Sequence, residues 1–260
     1  MRVRGESGIS RDWLEEIYFL YNHREYVHPD PLEFLYNFES CGDMEIAGLI
    51  ASSLAYGNVK QILRSVKSVL DRMGNSPLNF VMNTSEKEKK YCFKNFKHRF
   101  TTGQEVAELL ERTKKLILEY GSLGAFIQKV SGSESSIIDI QEEFVKQLIS
   151  GVKSTLLPEV KRGSASKRLN LFFRWMVRKD EVDPGCWSGK ILPSQLLIPL
   201  DTHMYRFAVK FGITRRKSAN LKTVMEITDF FKKVNPEDPV KYDFAITRAG
   251  IGRWYEWDQK

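Results

Sequence analysis

Apolar residues recur three and four positions apart along almost the whole of this chain, a period that fits helices and excludes most strands. Ser10 is placed to cap a first helix through Tyr21, with Trp13, Leu14, Ile17 and Leu20 on one face. The His28-Pro29-Asp30-Pro31 turn opens a short helix over Leu32–Phe38, and Asp43 is expected to cap the apolar segment Ile46–Tyr56. Ala47, Gly48, Ala51, Ser52, Ser53 and Ala55 in that segment predict a buried helix in close contact with its neighbours. Gly57-Asn58 breaks it, an amphipathic helix follows over Val59–Met73, and a lysine-rich patch occupies Ser85–Lys97. Thr102 and Glu105 form a capping box for a helix to Tyr120. Ser131–Ser136 reads as a loop, Ile140 to Val152 as a helix, Leu157-Pro158 as a break, and Asp183–Pro199 as irregular. Helices are expected over Thr202–Phe211, Ser218–Val234 and Pro239–Gly250. No run of alternating β-branched residues is long enough for a strand, and no segment repeats, so the expected class is all-α. A chain of 260 residues suits a single unit of two joined helical lobes, roughly 40–130 and 1–39 plus 137–260.

Charge is distributed unevenly. Lys161, Arg162, Lys167, Arg168, Arg174, Arg178 and Lys179 place seven cations in nineteen residues with no acid among them. Leu169, Leu171, Phe172, Phe173 and Trp175 interleave with them, which predicts an amphipathic helix whose basic face attracts a phosphate backbone. Cys41, Cys92 and Cys186 are odd in number and widely spaced, fitting neither a disulfide framework nor a zinc or iron–sulfur set, so no metal or cofactor is expected. Met1–Gly8 carries two arginines with no apolar run behind it, and later apolar stretches are broken by charge. No signal peptide or membrane span is expected, and a cytoplasmic monomer is the simplest reading.

The residues suited to chemistry are Asp201, within Pro199-Leu200-Asp201-Thr202-His203, and Lys167, which lies 34 positions upstream. Asp201 stands where a helix begins, so it is an N-cap by position. The amides and dipole of a helix N-terminus also favour a carboxylate in its ionised form, able to stabilise positive charge developing on a sugar ring. A lysine becomes a nucleophile where burial or neighbouring positive charge favours its neutral form. Arg168, Arg162 and Lys161 supply such neighbours, and Ser164-Ala165-Ser166 lets another backbone approach. His203 reads as a packing or phosphate-facing residue; His23, His28 and His98 are scattered and take no role.

Leu157-Pro158-Glu159-Val160, the basic helix with Lys167, and Pro199-Leu200-Asp201-Thr202-His203 resemble the helix-hairpin-helix DNA glycosylase superfamily. In that superfamily a lysine opens a helix after the hairpin and an aspartate follows in a similar context. Leu49–Tyr56 followed by Val59–Ile62 is similar to the buried helix and its successor in the same fold, and the lysine-to-aspartate spacing is closest to the archaeal 8-oxoguanine glycosylase type. Gly163–Asn170, Arg174–Asp180, Pro193–Asp201 and Pro236–Ala245 resemble more closely a bacterial family of uncharacterised proteins, over about Tyr21 to Ile251. The hairpin is atypical. Glu159 and Lys161 stand where a glycosylase has the glycines whose amides grip a phosphate. An ungapped alignment puts Gly163 at the lysine position, so Lys167 implies extra residues in the turn. The iron–sulfur cysteine cluster of the endonuclease III branch is absent.

The resemblance implies a two-lobed helical fold that bends duplex DNA and draws a damaged nucleotide into a cleft. Lys167 would attack the sugar, with strand cleavage by lyase action as an extension, and Asp201 would assist. Lys161, Arg162, Ser164, Arg168, His203 and Arg206 would contact the nucleic acid, and Tyr56, Asn58, Gln61 and Trp187 would line the base pocket or stack. Two other readings fit the same residues: a nucleic-acid-binding protein that kept the fold and lost the chemistry, and a helical module docking a protein on its basic helix.

Overall fold

The computed structural model describes residues 9–132, 135–149, 154–158, 160 and 163–253. Capping side chains set where most of its helices begin. The Ser10 hydroxyl accepts the Trp13 N–H and opens α1 (Arg11–Tyr21). Asp30 caps Pro31–Asn37, which winds as a 3-10 helix. The next helix, α2 (Cys41–Ser53), is capped by Ser40, three residues ahead of the expected Asp43. Asp43 instead accepts from the Ser76 hydroxyl and the Leu78 amide, at the start of α4 (Pro77–Asn83). Asn58 caps α3 (Val59–Met73), and the lysine-rich patch is largely α5 (Glu86–Phe93), opened by a Ser85–Glu88 capping box.

The capping box of Thr102 and Glu105 opens α6 (Gly103–Tyr120), as the sequence predicts. There follow α7 (Leu123–Val130), α8 (Ile137–Ile149), α9 (Lys167–Val177), α10 (Thr202–Lys210), α11 (Leu221–Val234) and α12 (Asp243–Arg253). α8 starts earlier than its apolar pattern because Ser136 accepts the Asp139 amide; its expected end at Val152 lies outside the described residues. α11 and α12 start later than expected, the first because Asn220 is its cap, the second because turns occupy 236–242. The β structure is one antiparallel pair, β1 (Lys97–His98) with β2 (Thr101–Thr102), too short to leave a period in the sequence. The protein is essentially all-α.

α2 is the axis of the core: every residue from Glu45 to Ser53 is buried. It crosses α9 closely because Gly48 has no side chain; a Cβ there would sit 3.1 Å from Met176 Cε and 3.3 Å from Phe172. Phe144 and Phe172 stack beside that crossing, and Phe173 and Trp187 meet them edge to face, with Phe172 and Trp187 centroids 5.1 Å apart. α12 packs against both α1 and α10. These contacts bring the N-termini of α9, α10 and α12 to the break between α2 and α3. No described helix is long and apolar enough to cross a membrane.

Candidate functional site

A cleft of about 550 Å³ opens where those helix starts converge. Lys167 and Asp201 both line it, together with Tyr56 and Gly57 from the α2–α3 break and Asp243, Phe244 and Arg248 from α12. Lys167 is half-buried and is the first residue of α9. It follows Ser166, a buried non-glycine residue held in the left-handed region at φ 45°. Such a conformation costs about 1–3 kcal/mol and is retained where surrounding packing enforces it. Ser164, half-buried, accepts the Ser166 amide at 3.1 Å and pairs with Asn220, so its role is to shape the turn that presents Lys167.

Asp201 caps α10 through the Met204 amide at 2.8 Å. That bond occupies one carboxylate oxygen, and the same residue lines the cleft. His203 also lines the cleft, and its buried Nδ1 has no hydrogen-bond partner among the described residues. Arg206, exposed, lies one turn further along α10 and outside the cleft.

Asp243 escaped the sequence reading. It is the first residue of α12, 3% exposed, with Oδ2 held by Arg174 and Oδ1 without a partner among the described residues. Burial pushes its carboxyl up to about 7; Arg174 opposes the shift and the nearby charge of Asp201 adds to it. The available signal was positional: an aspartate following the Pro236–Pro239 turns is a strong candidate for a first helical turn. Arg248 pairs with Asp30 on the opposite wall. Three cations (Lys167, Arg174, Arg248) and three carboxylates (Asp30, Asp201, Asp243) therefore share the cleft.

The basic helix differs most from its expectation. Arg174 and Arg178 do not form a basic face; both are buried. Arg174 Nε reaches Asp183 at 3.2 Å and its guanidinium also holds Asp243, while Arg178 binds Asp238 at 2.8 Å, Asp180 at 2.9 Å and Asp183. Burial disfavours both guanidinium charges, but the carboxylates, Asp183 first, outweigh it and raise both above the ordinary arginine value. The acids responsible lie beyond Lys179 in sequence, where an acid-free window does not see them. Arg168 is half-buried, and its Nη1 donates to Ser53 O at 2.9 Å and Thr155 O at 2.7 Å. Lys161 and Arg162 lie outside the described residues.

Of the expected base-pocket residues, Tyr56 lines the cleft, with its hydroxyl 2.9 Å from His98 O and 2.7 Å from Thr101 Oγ1 and the Arg168 guanidinium 4.8 Å from its ring centre. Asn58 is the α3 cap and Gln61 bonds Ser65 along the same helix; neither lines the cleft. Trp187 is not a stacking platform. It is fully buried in the aromatic core, and its indole N–H donates to Glu45 at 2.6 Å. Glu45 in turn accepts the Leu123 and Gly124 amides, so this pair fastens α2 to the start of α7.

A family model described as a protein of unknown function, DUF2400, matches residues 30–252, and the chain belongs to that family. No curated protein and no solved structure matches it.

Proposed function

We propose that this member of the DUF2400 family is a DNA repair glycosylase with lyase capacity, using Lys167 as nucleophile and Asp201 as its assisting carboxylate. The observation carrying the reading is that these two residues, 34 positions apart, line one cleft at two helix starts. The volume, about 550 Å³, is within the range of roughly 300–1,000 Å³ that small-molecule sites occupy. At its rim the hairpin tip presents Phe100, 72% exposed, with the Arg99 guanidinium 5.7 Å from that ring and 5.9 Å from Tyr56. An exposed aromatic side chain beside a cation is suited to fill the gap left in a base stack when a nucleotide turns outward.

The chemistry runs as follows. The Lys167 amine attacks the sugar C1′ through its nitrogen lone pair, the C1′–base bond breaks, and its electron pair leaves with the base. Asp243, protonated below about pH 7, supplies the proton that the departing base takes up. Asp201 stabilises positive charge on the sugar and accepts the proton shed by the attacking nitrogen. The nitrogen lone pair then breaks the C1′–O4′ bond, O4′ takes back the proton held by Asp201, and a protonated imine to Lys167 remains. Asp201 next accepts a C2′ proton, the C–H pair forms a C2′–C3′ double bond and expels the 3′ phosphate, and hydrolysis of the imine frees the enzyme.

The test is base release and strand nicking on duplexes carrying 8-oxoguanine, uracil or an abasic site, with Lys167→Ala and Asp201→Asn beside the wild type. Activity on one damaged duplex, lowered about 100-fold or more in either variant, is the expected result. Unchanged release by Lys167→Ala would remove the lysine mechanism. The atypical hairpin, with Glu159 and Lys161 in place of glycines, favours a second reading: a duplex-binding protein without chemistry, which would bind in a salt-dependent way and yield no product.

A further inference from the structure

We infer that the outer face of α10 and the loop joining it to α11 form the main dock for the phosphate backbone of duplex DNA flanking the cleft. The inference rests on the duplex-DNA reading of the cleft but not on the lysine chemistry. From Thr202 to Met225 the chain has six cations (Arg206, Lys210, Arg215, Arg216, Lys217 and Lys222) and no acid. All six are exposed.

Arg206 and Lys210 stand one turn apart on α10 and share a surface groove with Arg215, Arg216 and Lys217. Lys222 extends the same face through a second groove that shares Arg216. Tyr205 fixes the arrangement: its hydroxyl donates to Arg216 O at 2.6 Å, tying the loop to α10. Tyr205 also lines the cleft, so the groove runs from it without an intervening element. Two carboxylates, Glu226 and Asp229, enter the second groove beside these cations, and Lys233 adds a further cation there; Glu226 takes Arg216 at 2.8 Å and Thr214. A fixed row of like charges beside a cleft is what a polyanion of regular spacing recognises, and each neutralised phosphate releases a counterion.

The experiment is polarisation-detected binding of an undamaged duplex across a series of KCl concentrations. It compares the wild type with an Arg206→Ala/Lys217→Ala/Lys222→Ala variant and with Lys179→Ala, an exposed lysine at the far end of α9. The triple variant should flatten the slope of log affinity against log salt by about two to three. Lys179→Ala should leave the slope near that of the wild type. A thermal melt matching the wild type checks folding, since the three residues are exposed. An unchanged slope in the triple variant overturns the dock even where base release is intact; a flattened slope with no base release leaves the dock standing and the chemistry refuted. Failure of the wild type to bind duplex at any salt, or stronger binding through these residues to phosphatidylserine vesicles than to DNA, also overturns it.

Discussion

Between Lys161 and Lys179 the chain carries seven cations and no acid; between Thr202 and Met225 it carries six and again no acid. As strings the two are nearly equivalent, and the first is the denser. In the fold they separate. Arg174 and Arg178 are buried against Asp180, Asp183, Asp238 and Asp243, and Arg168 Nη1 is held by two backbone carbonyls. Arg206, Lys217 and Lys222 remain at the surface. The distinction comes from the apolar residues between the charges: Leu169, Phe172, Phe173, Trp175 and Met176 commit most of α9 to the core and take the arginines with them. Lys167 escapes because it stands at the helix start, where the chain enters the cleft. One helix can therefore supply both the buried foundation of the cleft and a lysine on its lining, according to position along it.

The largest effect should come from the buried network. Arg174→Ala or Asp183→Asn leaves an uncompensated charge in the core and should cost about 3–5 kcal/mol in urea unfolding. A loss below about 1 kcal/mol, within the range of exposed ion pairs, would contradict the burial described. Trp187→Ala comes next, at about 3–5 kcal/mol from the cavity alone, with the Glu45 bond lost as well. Were Trp187 a stacking residue, the substitution would instead weaken DNA binding and leave the unfolding midpoint in place.

Asp243 gives a pH signature of intermediate size. Its carboxyl holds a proton up to about 7 in the fold, against an ordinary value of 3.8. Between those values the folded protein binds more protons than the unfolded chain, so raising the pH disfavours folding. Its contribution is full below 3.8 and is lost as pH rises through about 7. Thermal midpoints across pH 4–8 should show that decline in the wild type and less of it in Asp243→Asn; parallel curves for the two proteins would exclude the protonated acid. The smallest stability effects belong to the cleft pair. Asparagine caps a helix as well as aspartate, so Asp201→Asn should stay within about 0.5 kcal/mol of the wild type, and Lys167→Ala likewise. Losses of several kcal/mol at either position would make them structural residues like Arg174.

The sequence made legible what depends on local chemistry. The caps at Ser10, Thr102 and Asp201 are short-range hydrogen bonds with fixed spacing, and the small residues of α2 announce close packing because only they permit it. Asp201 stood out as a helix start, and Lys167 for its cationic neighbours and the resemblance of its segment to a glycosylase lysine. What stayed hidden depends on distant partners. Asp243 pairs with Arg174 from 69 residues away, Asp183 reaches it from an irregular segment with no period to place it, and Trp187, in that same segment, is claimed by Glu45 from 142 residues away. The two-residue strands of the hairpin are too short to show a period.

Borohydride reduction of the protein bound to an abasic-site duplex, followed by peptide mapping of any adduct, tests the central claim most directly. The account predicts a covalent protein–DNA species, carried on the peptide containing Lys167 and lost in Lys167→Ala. An adduct mapped to another lysine, or no adduct despite tight binding of that duplex, would contradict it.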